Sequence, residues 1–488
     1  MKNQLSIAIA LLIASSLCAQ DFIWAEPPAP FKSVHLGDAD YSDIDGDGDL
    51  DVIITGLHEG IVHTSLYINN GDASFGFTST GISAVFDGDL EFADIDGDGD
   101  EDLVLRGEKF FVGMSTLEVY TNDGNGNFSL ASSEEIPMKD SGSLRLEDLD
   151  GDNDLDLILN GVSINNQLFV EIRINDGNGN FEHDSDNNLA GTGQGSLLVA
   201  DFNGDDSQDI FLFGGGTLEL FDKDPAAILY LNDGSGKFSS TPTTVEKGIG
   251  TAKIADLDGD DDIDIFFSGA IENGPLSTEV YFNDGEANFT KDTNNSFKTF
   301  QWLSSRAEIF DADNDNDPDI LISGLSGSGL GNDQELYLND GQGIFTQAST
   351  QQFGFVDSGK ILALDVDGDN DQDLIMGGSD LFGLTYTALI LNQATVSNNE
   401  VNLNTETIEI FPNPTSGDLV QVDHSDINQN ILSISVVDNY GQVVATLPRQ
   451  FYLSQYVSTI DISHVPSGVY YIQIEGTEKI LVEKFVRR

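Results

Sequence analysis

Seven stretches of this chain place an oxygen-bearing side chain at every second residue, acidic in all but Asn203 and Ser207, and alternating oxygen ligands at that spacing are cation chemistry. The first stretch holds Asp43, Asp45, Asp47, Asp49 and Asp51, and the second Asp94, Asp96, Asp98, Asp100 and Asp102. The third holds Asp148, Asp150, Asp152, Asp154 and Asp156, and the fourth Asp201, Asn203, Asp205, Ser207 and Asp209. The fifth holds Asp256, Asp258, Asp260, Asp262 and Asp264, and the sixth Asp311, Asp313, Asp315, Asp317 and Asp319. The seventh holds Asp365, Asp367, Asp369, Asp371 and Asp373. Hard cations such as calcium take about six to eight oxygens from carboxylates, carbonyls and water. Counting from the first aspartate of each loop, positions 1, 3 and 5 point short carboxylates inward, position 7 offers a backbone carbonyl whatever its side chain, and position 9 closes the shell. Positions 4 and 6 are Gly, Asn or Asp, which tolerate the sharp backbone that wraps an ion. Asn203 is the one change among positions 1, 3, 5 and 9, and an amide oxygen still coordinates. The expectation is calcium, up to seven ions, one per repeat.

Other readings of the loops fail on their own chemistry. A helix–loop–helix calcium hand needs a bidentate Glu at its twelfth position. Here that position holds Ile54, Leu105, Leu159, Leu212, Phe267, Ile322 or Met376, all apolar. Magnesium keeps its waters and takes few carboxylates. Zinc would want His or Cys, and the loops contain neither. One such loop alone could be a solvated turn, but seven copies with the same oxygen positions point to metal.

The loops begin 51 to 55 residues apart, and a period of about that length marks an array or a propeller. Each unit follows one plan. A short apolar strand such as Ser143-Leu144-Arg145-Leu146 enters the loop, and a second such as Leu157-Ile158-Leu159 leaves it. A variable loop and a third strand follow, usually with an apolar–Tyr pair such as Val119-Tyr120. A tight Asn-Asp-Gly turn comes next (Asn-Asn-Gly in the first unit), with Phe four residues after the Gly, as at Phe75 and Phe128. Asn-Gly and Asp-Gly pairs supply the positive φ of tight hairpins. Four short antiparallel strands make one propeller blade. The seventh unit reaches Leu391-Asn392 and then lacks the turn and its strand, while Phe22 to Phe31 is an extra piece before the first loop. That piece is expected to supply the missing outer strand and close the ring, removing free edges. The fold class expected is all-β: a seven-bladed β-propeller, then a small β-sandwich domain with alternating strands such as Leu432 to Val436 and Tyr470 to Ile474. The domains read as an export signal at 1–19, the propeller at 20–394, a polar linker at 395–406 and the second domain at 407–488.

The chain has 488 residues and a formal net charge of −64, and its loops hold 36 of the 84 acidic residues. Such a field repels nucleic acid and anionic membranes and attracts cations. Lys2, the apolar stretch Leu5 to Leu17 and Ala19 before Gln20 form the signal, too short to span a bilayer, and no other stretch is apolar enough to do so. Cys18 is the only cysteine; bulky Leu17 before it argues against acylation, and the mature chain then has no disulfide to staple its loops.

The loops, with the apolar strand and glycine after them, resemble the FG-GAP (VCBS-type) repeats of bacterial surface proteins and are similar to the calcium loops of integrin α-subunit propellers. The resemblance spans about residues 22–394 and implies seven blades and calcium held through positions 1, 3, 5, 7 and 9, with the carbonyl of Asp49 serving in the first loop. Asn314 in place of Gly, and Pro318, depart from the pattern in the sixth loop. The C-terminal region resembles the type A sorting domain of the type IX secretion system of Bacteroidota. The matching pieces are Ile410 to Gly417, Val437 to Val443, Ile460 to Ser463 with Pro466 to Tyr470, and Lys484 to Arg488. It implies engagement with the type IX machinery, passage through the outer membrane, and release or surface attachment.

Recognition is expected on the face opposite the aspartate loops, where the variable loops lie. Phe110, Phe111, Phe221, Phe382 and Trp302 stand in or near those loops, though most read as packing residues. The six histidines form no motif, and no nucleophile elbow or zinc-protease helix occurs. The primary expectation is therefore non-catalytic adhesion or binding of a glycan or protein ligand at the cell surface. The alternative is a polysaccharide-acting lyase or hydrolase, for which Lys109 and Lys223 are sparse material.

Overall fold

In the computed structural model every regular element among the described residues is a strand. The structure describes residues 22–393 apart from 26–29, 79, 110–113, 188, 194, 216–224, 273, 302–304, 327–331, 349–356 and 380–384, and within 409–488 the strands and their flanks. The export segment 1–19, the linker, Lys223 and the five aromatic residues proposed as loop candidates lie outside the described residues. The chain divides into two compact units, one ending at Ala394 and one beginning at Thr395.

In the first unit the strands fall into four-stranded antiparallel sets, in chain order from the first strand to the fourth in every set but the last. Two neighbouring sets merge into an eight-stranded sheet through a single pair, Ala226 with Gly248. The first set shows the plan. Ala39–Ser42 pairs with Asp51–His58, then Ile61–Asn69, then Phe75–Thr78. The last set is completed from the other end of the chain. Ile23 pairs with Leu391 and Trp24 with Ile390, so the N-terminal segment supplies the outer strand that the seventh unit lacks. First strands neighbour one another in ring order, and Asp357–Leu364 of the seventh unit meets Ala39–Ser42 of the first. These sets therefore form a closed propeller.

Second strands read as continuous apolar runs because both of their faces are covered. Val52 and Ile53 are fully buried and Ile54 is 4% exposed. Val52 and Ile54 pack with Leu362, Ile375 and Leu389 of the seventh unit, whereas Ile53 packs with Leu90, Leu103 and Leu105 of the second. Alternation along one strand thus joins a sheet to both of its neighbours. Around the axis, polar side chains of the first strands link consecutive units. Asp38 and Asp40 accept the backbone N–H groups of Leu90 and Phe92, at 3.3 and 2.9 Å. Asp89 and Glu91 accept those of Leu144 and Leu146, at 2.7 and 3.2 Å. Lys253 donates to Glu308 at 2.7 Å, and the Arg306 guanidinium donates to the Gly359 carbonyl at 2.8 Å.

The second unit holds a three-stranded sheet of Glu409–Phe411, Leu419–Asp423 and Val457–Asp461, and a four-stranded sheet running Val443–Leu447, Ile431–Asp438, Gly468–Gly476 and Ile480–Arg487. Val420, Val422 and Ile460 of the first sheet share one core with Ile434, Val436 and Ile472 of the second, which makes the unit a β-sandwich.

Candidate metal centre

Every aspartate loop connects the first and second strands of its unit, and every second strand begins with the position-9 aspartate. All seven of those side chains, from Asp51 to Asp373, are fully buried. Each is held by two backbone donors. In the first loop, the Asn69 N–H donates to Asp51 Oδ1 at 2.8 Å and the Ile44 N–H to Oδ2 at 3.3 Å. Each oxygen retains a lone pair beyond its hydrogen bond. Burial pushes these carboxyls up, to about 7 at Asp51, Asp264 and Asp373, and to about 6 at Asp102, Asp156 and Asp209. Asp319 rises to about 8. A buried carboxylate of this kind is held ionised by a bound cation.

Position 1 shapes the loop. Asp43 Oδ1 accepts the Gly46 N–H at 2.9 Å, and Oδ2 accepts the Gly48 N–H at 3.0 Å. The same bond from the sixth position recurs in the sixth loop, from Asn316 to Asp311 at 2.9 Å. Position 6 lies in the left-handed region, with φ of 97° at Gly48 and 70° at Asn316, which is why only Gly, Asn and Asp occur there. Position 5 accepts the N–H of position 7, as in Asp47 from Asp49 at 3.1 Å. Pro318 leaves the sixth loop intact, because Asp319 still accepts from Ala312 and Asn339, both at 2.8 Å.

Position 3 is different. Asp45, Asp96, Asp150, Asp258, Asp313 and Asp367 each bury one carboxylate oxygen, Oδ1, that has no hydrogen-bond partner. Leaving a buried acceptor unpaired costs about 1–3 kcal/mol, more for a charged group. Burial and the neighbouring carboxylates push Asp258 up to about 6 and Asp313 to about 7. Ligand atoms of Asp43, Asp45 and Asp51 lie within 4.8 Å of one another, as do those of Asp94, Asp96 and Asp102, and of Asp148, Asp150 and Asp156. In the fifth and sixth loops positions 1, 3 and 5 converge instead. An unpaired oxygen inside a cluster of oxygens, with no sulfur or imidazole, fits a hard cation. The fourth loop departs: Asn203 Oδ1 accepts the Asp205 N–H, and its Nδ2 donates to Asp205 Oδ2, both at 3.0 Å.

Position-7 side chains turn away from this cluster. A Cβ added to Gly124 of the second unit's Asn-Asp-Gly turn would lie 2.5 Å from Asp100 Oδ1, so that carboxylate would have to shift, and the φ of 68° is the stricter demand for glycine. The seventh unit has no such turn, and there Asp371 is 3% exposed with Oδ1 unpaired.

The sequence pattern located the loops but not their connections. The asparagine that opens each turn makes two bonds that no local pattern reveals, one within its unit and one to the preceding unit. Its recurrence at Asn392, where no turn follows, was the available signal. His58 and His63 come together, with rings 5.8 Å apart, but the Lys32 ammonium stands 3.3 Å from His63 Nδ1 and His58 Nδ1 bonds the Ser33 carbonyl at 2.7 Å. That arrangement opposes a cation. Lys109 is ion-paired with Glu118.

A closed ring of four-stranded sheets, each headed by an aspartate loop, defines a repeat propeller. The chain is an FG-GAP-like repeat protein that carries a C-terminal secretion sorting domain: the FG-GAP-like repeat matches residues 43–105, 108–159, 148–212 and 256–322, and the secretion system C-terminal sorting domain matches 409–488. The sorting domain marks the chain for secretion or attachment to the cell surface. Among the described residues, no helix is long and apolar enough to cross a membrane. No curated protein matches the chain. Similar solved structures include the BP39L lectin from Burkholderia pseudomallei, at 11% identity and TM-score 0.48, covering 75% of this chain and 97% of that one. A rhamnogalacturonan lyase of Bacillus licheniformis is 14% identical at TM-score 0.43, covering 76% of this chain and 75% of that one. An exo-beta-1,3-galactanase of Phanerochaete chrysosporium is 11% identical at TM-score 0.32, covering 96% and 93%.

Proposed function

We propose that the protein is a secreted or outer-membrane-attached, calcium-stabilised seven-bladed propeller that binds a glycan or protein ligand without turning it over. The type IX machinery would deliver it after removal of residues 1–19, with the sorting domain as the recognised partner. The observation that carries the calcium part is the unpaired, buried Oδ1 at position 3 in six loops. A fold without disulfides gains rigidity if each of these oxygens receives an ion.

Binding rather than catalysis is supported by how the charged groups are used. The first-strand carboxylates Asp38, Asp40, Asp89 and Glu91 each accept a backbone N–H from the next unit. Lys298 pairs with Glu335 at 2.6 Å and Lys291 with Glu279 at 2.6 Å. Groups so engaged are poorly placed to exchange protons with a substrate.

The test is a calorimetric calcium titration of the chelator-stripped protein, followed by a glycan array and a polysaccharide turnover screen with and without calcium. Calcium uptake together with ligand retention and no new product is the expected result. Appearance of an unsaturated or shortened sugar product would replace the binding reading with the enzymatic one.

A further inference from the structure

The aspartate loops are joined to one another by a hydrogen-bonded ring that runs through one asparagine per unit. The asparagines are Asn69, Asn122, Asn175, Asn232, Asn283, Asn339 and Asn392, all between 0% and 6% exposed. Each gives its backbone N–H to Oδ1 of the position-9 aspartate in its own unit, at 2.7 to 2.8 Å. Each gives its side-chain Nδ2–H to the position-2 carbonyl of the preceding unit, at 2.7 to 3.0 Å. That position-2 residue in turn gives its own N–H to Oδ2 of its position-9 aspartate, at 2.8 to 3.4 Å. The circuit closes across the seam, because Asn69 of the first unit reaches Val366 of the seventh.

We propose that these asparagines are positioning residues which make the seven loops one coupled cation-binding unit, so that an ion in one loop raises the affinity of its neighbours. The proposal rests on reading the loops as calcium sites. Its physical route is short. An ion fixes the position-9 carboxylate, that carboxylate fixes the asparagine, and the asparagine fixes the position-2 carbonyl next door. The residue after that carbonyl is position 3, which carries the unpaired oxygen in six of the loops. Ordering one site therefore preorganises the ligand that its neighbour most needs an ion to satisfy.

A role confined to the hairpin turn would explain six of the asparagines but not the seventh. Asn392 is followed by Gln393-Ala394-Thr395, with no Gly-to-Phe turn. It nevertheless makes both bonds, to Asp373 at 2.7 Å and to Ala312 at 3.0 Å. The labour is also divided within the side chain. Where a turn exists, the amide oxygen serves it, as in Gly177 N–H to Asn175 Oδ1 at 3.2 Å, while the nitrogen is shared between the neighbour's carbonyl at 2.8 Å and the Leu155 carbonyl of its own unit at 3.2 Å.

The experiment is calcium calorimetry on the stripped full-length protein, wild type against Asn392→Ala and Asn175→Ala, with melting in chelator measured alongside. Asn392→Ala has no hairpin to disturb. Asn178→Ala is the control: Asn178 bonds only Asp176 of its own turn. Wild type is expected to load more steeply than independent sites would. Asn392→Ala should weaken the sixth and seventh loops, and Asn175→Ala the second and third, by about tenfold, as loss of an outer-shell partner does. Both should flatten the curve, and Asn178→Ala should leave it unchanged. Titrations of both asparagine variants that superimpose on wild type, even with a lower melting point in chelator, would overturn the coupling alone. A wild type that takes up no calcium would overturn the loop reading and this proposal with it.

Discussion

Lys360 Nζ lies 2.8 Å from Asp38 Oδ1, and this ion pair crosses the seam where the last first-strand meets the first. Asp38 is 7% exposed. The Lys360 ammonium overcomes the cost of burial and holds that carboxyl down at about 2. Replacing Lys360 with Met should strand Asp38 beside Asp89 without its cation. Removing one partner of a buried pair costs about 3–5 kcal/mol, but solvent reaches part of Lys360, so a loss of about 2 kcal/mol is expected. Denaturant unfolding at saturating calcium measures it, and an unchanged midpoint would show that the seam does not depend on the pair.

Acid should strengthen the ring of first strands rather than weaken it. Burial pushes Glu91 up from 4.5 to about 8 and Asp89 from 3.8 to about 7. A carboxyl raised on folding stabilises the fold fully below its unfolded value, and the contribution is lost as pH rises through the folded one. Between pH 5 and pH 8, with calcium saturating, the melting temperature should therefore fall. Glu91→Gln keeps an acceptor for the Leu146 N–H and removes the ionisation. The variant should show a flatter pH profile and melt higher than wild type at pH 8; parallel profiles would refute the assignment.

The fourth loop should be the weakest. Its Asn203 amide is bonded to Asp205 through both of its ends, and it brings one charge fewer. Wild type should show six tighter ions and one weaker by about tenfold, and Asn203→Asp should bring the seventh into line. Calorimetric stoichiometry at low and high calcium decides it.

Gly124→Ala should strain its turn and displace a side chain of the adjacent aspartate loop. The new Cβ would meet Asp100 Oδ1 at 2.5 Å, on a backbone with φ of 68°. A loss of about 2 kcal/mol is expected. Chemical unfolding gives the size, and the same change at Gly81, which has nothing nearby and an ordinary φ, should cost far less.

Deleting residues 22–25 should open the ring. Thr385–Leu391 would lose its pairing with Ile23–Trp24 and present a free strand edge. Self-association by size-exclusion chromatography is the expected outcome, and a stable monomer with wild-type melting would show that the strap is dispensable.

What the residues revealed unaided followed from the range of each interaction. The aspartate loops, the hairpins and the orphan outer strand are written in stretches of about ten residues, where the period and the missing turn after Asn392 can be read directly. The asparagine ring joins residues 78 to 83 apart within the array, and 297 apart across the seam, so no local pattern contains both partners. The charge cluster joining the first strands was missed for a related reason. Asp38, Asp89 and Lys360 look like surface charges along the chain, and only closure of the ring brings them together.

The pairing of Ile23 with Leu391 gives the order of the chain a meaning for quality control. Synthesis delivers the N-terminal segment first, yet its partner strand comes near the end, so the circle cannot be completed by a partial product. The sorting domain, matched at 409–488, lies beyond that partner strand. Only a polypeptide already long enough to shut its own circle bears the sorting domain, and a prematurely terminated one is left open and without it.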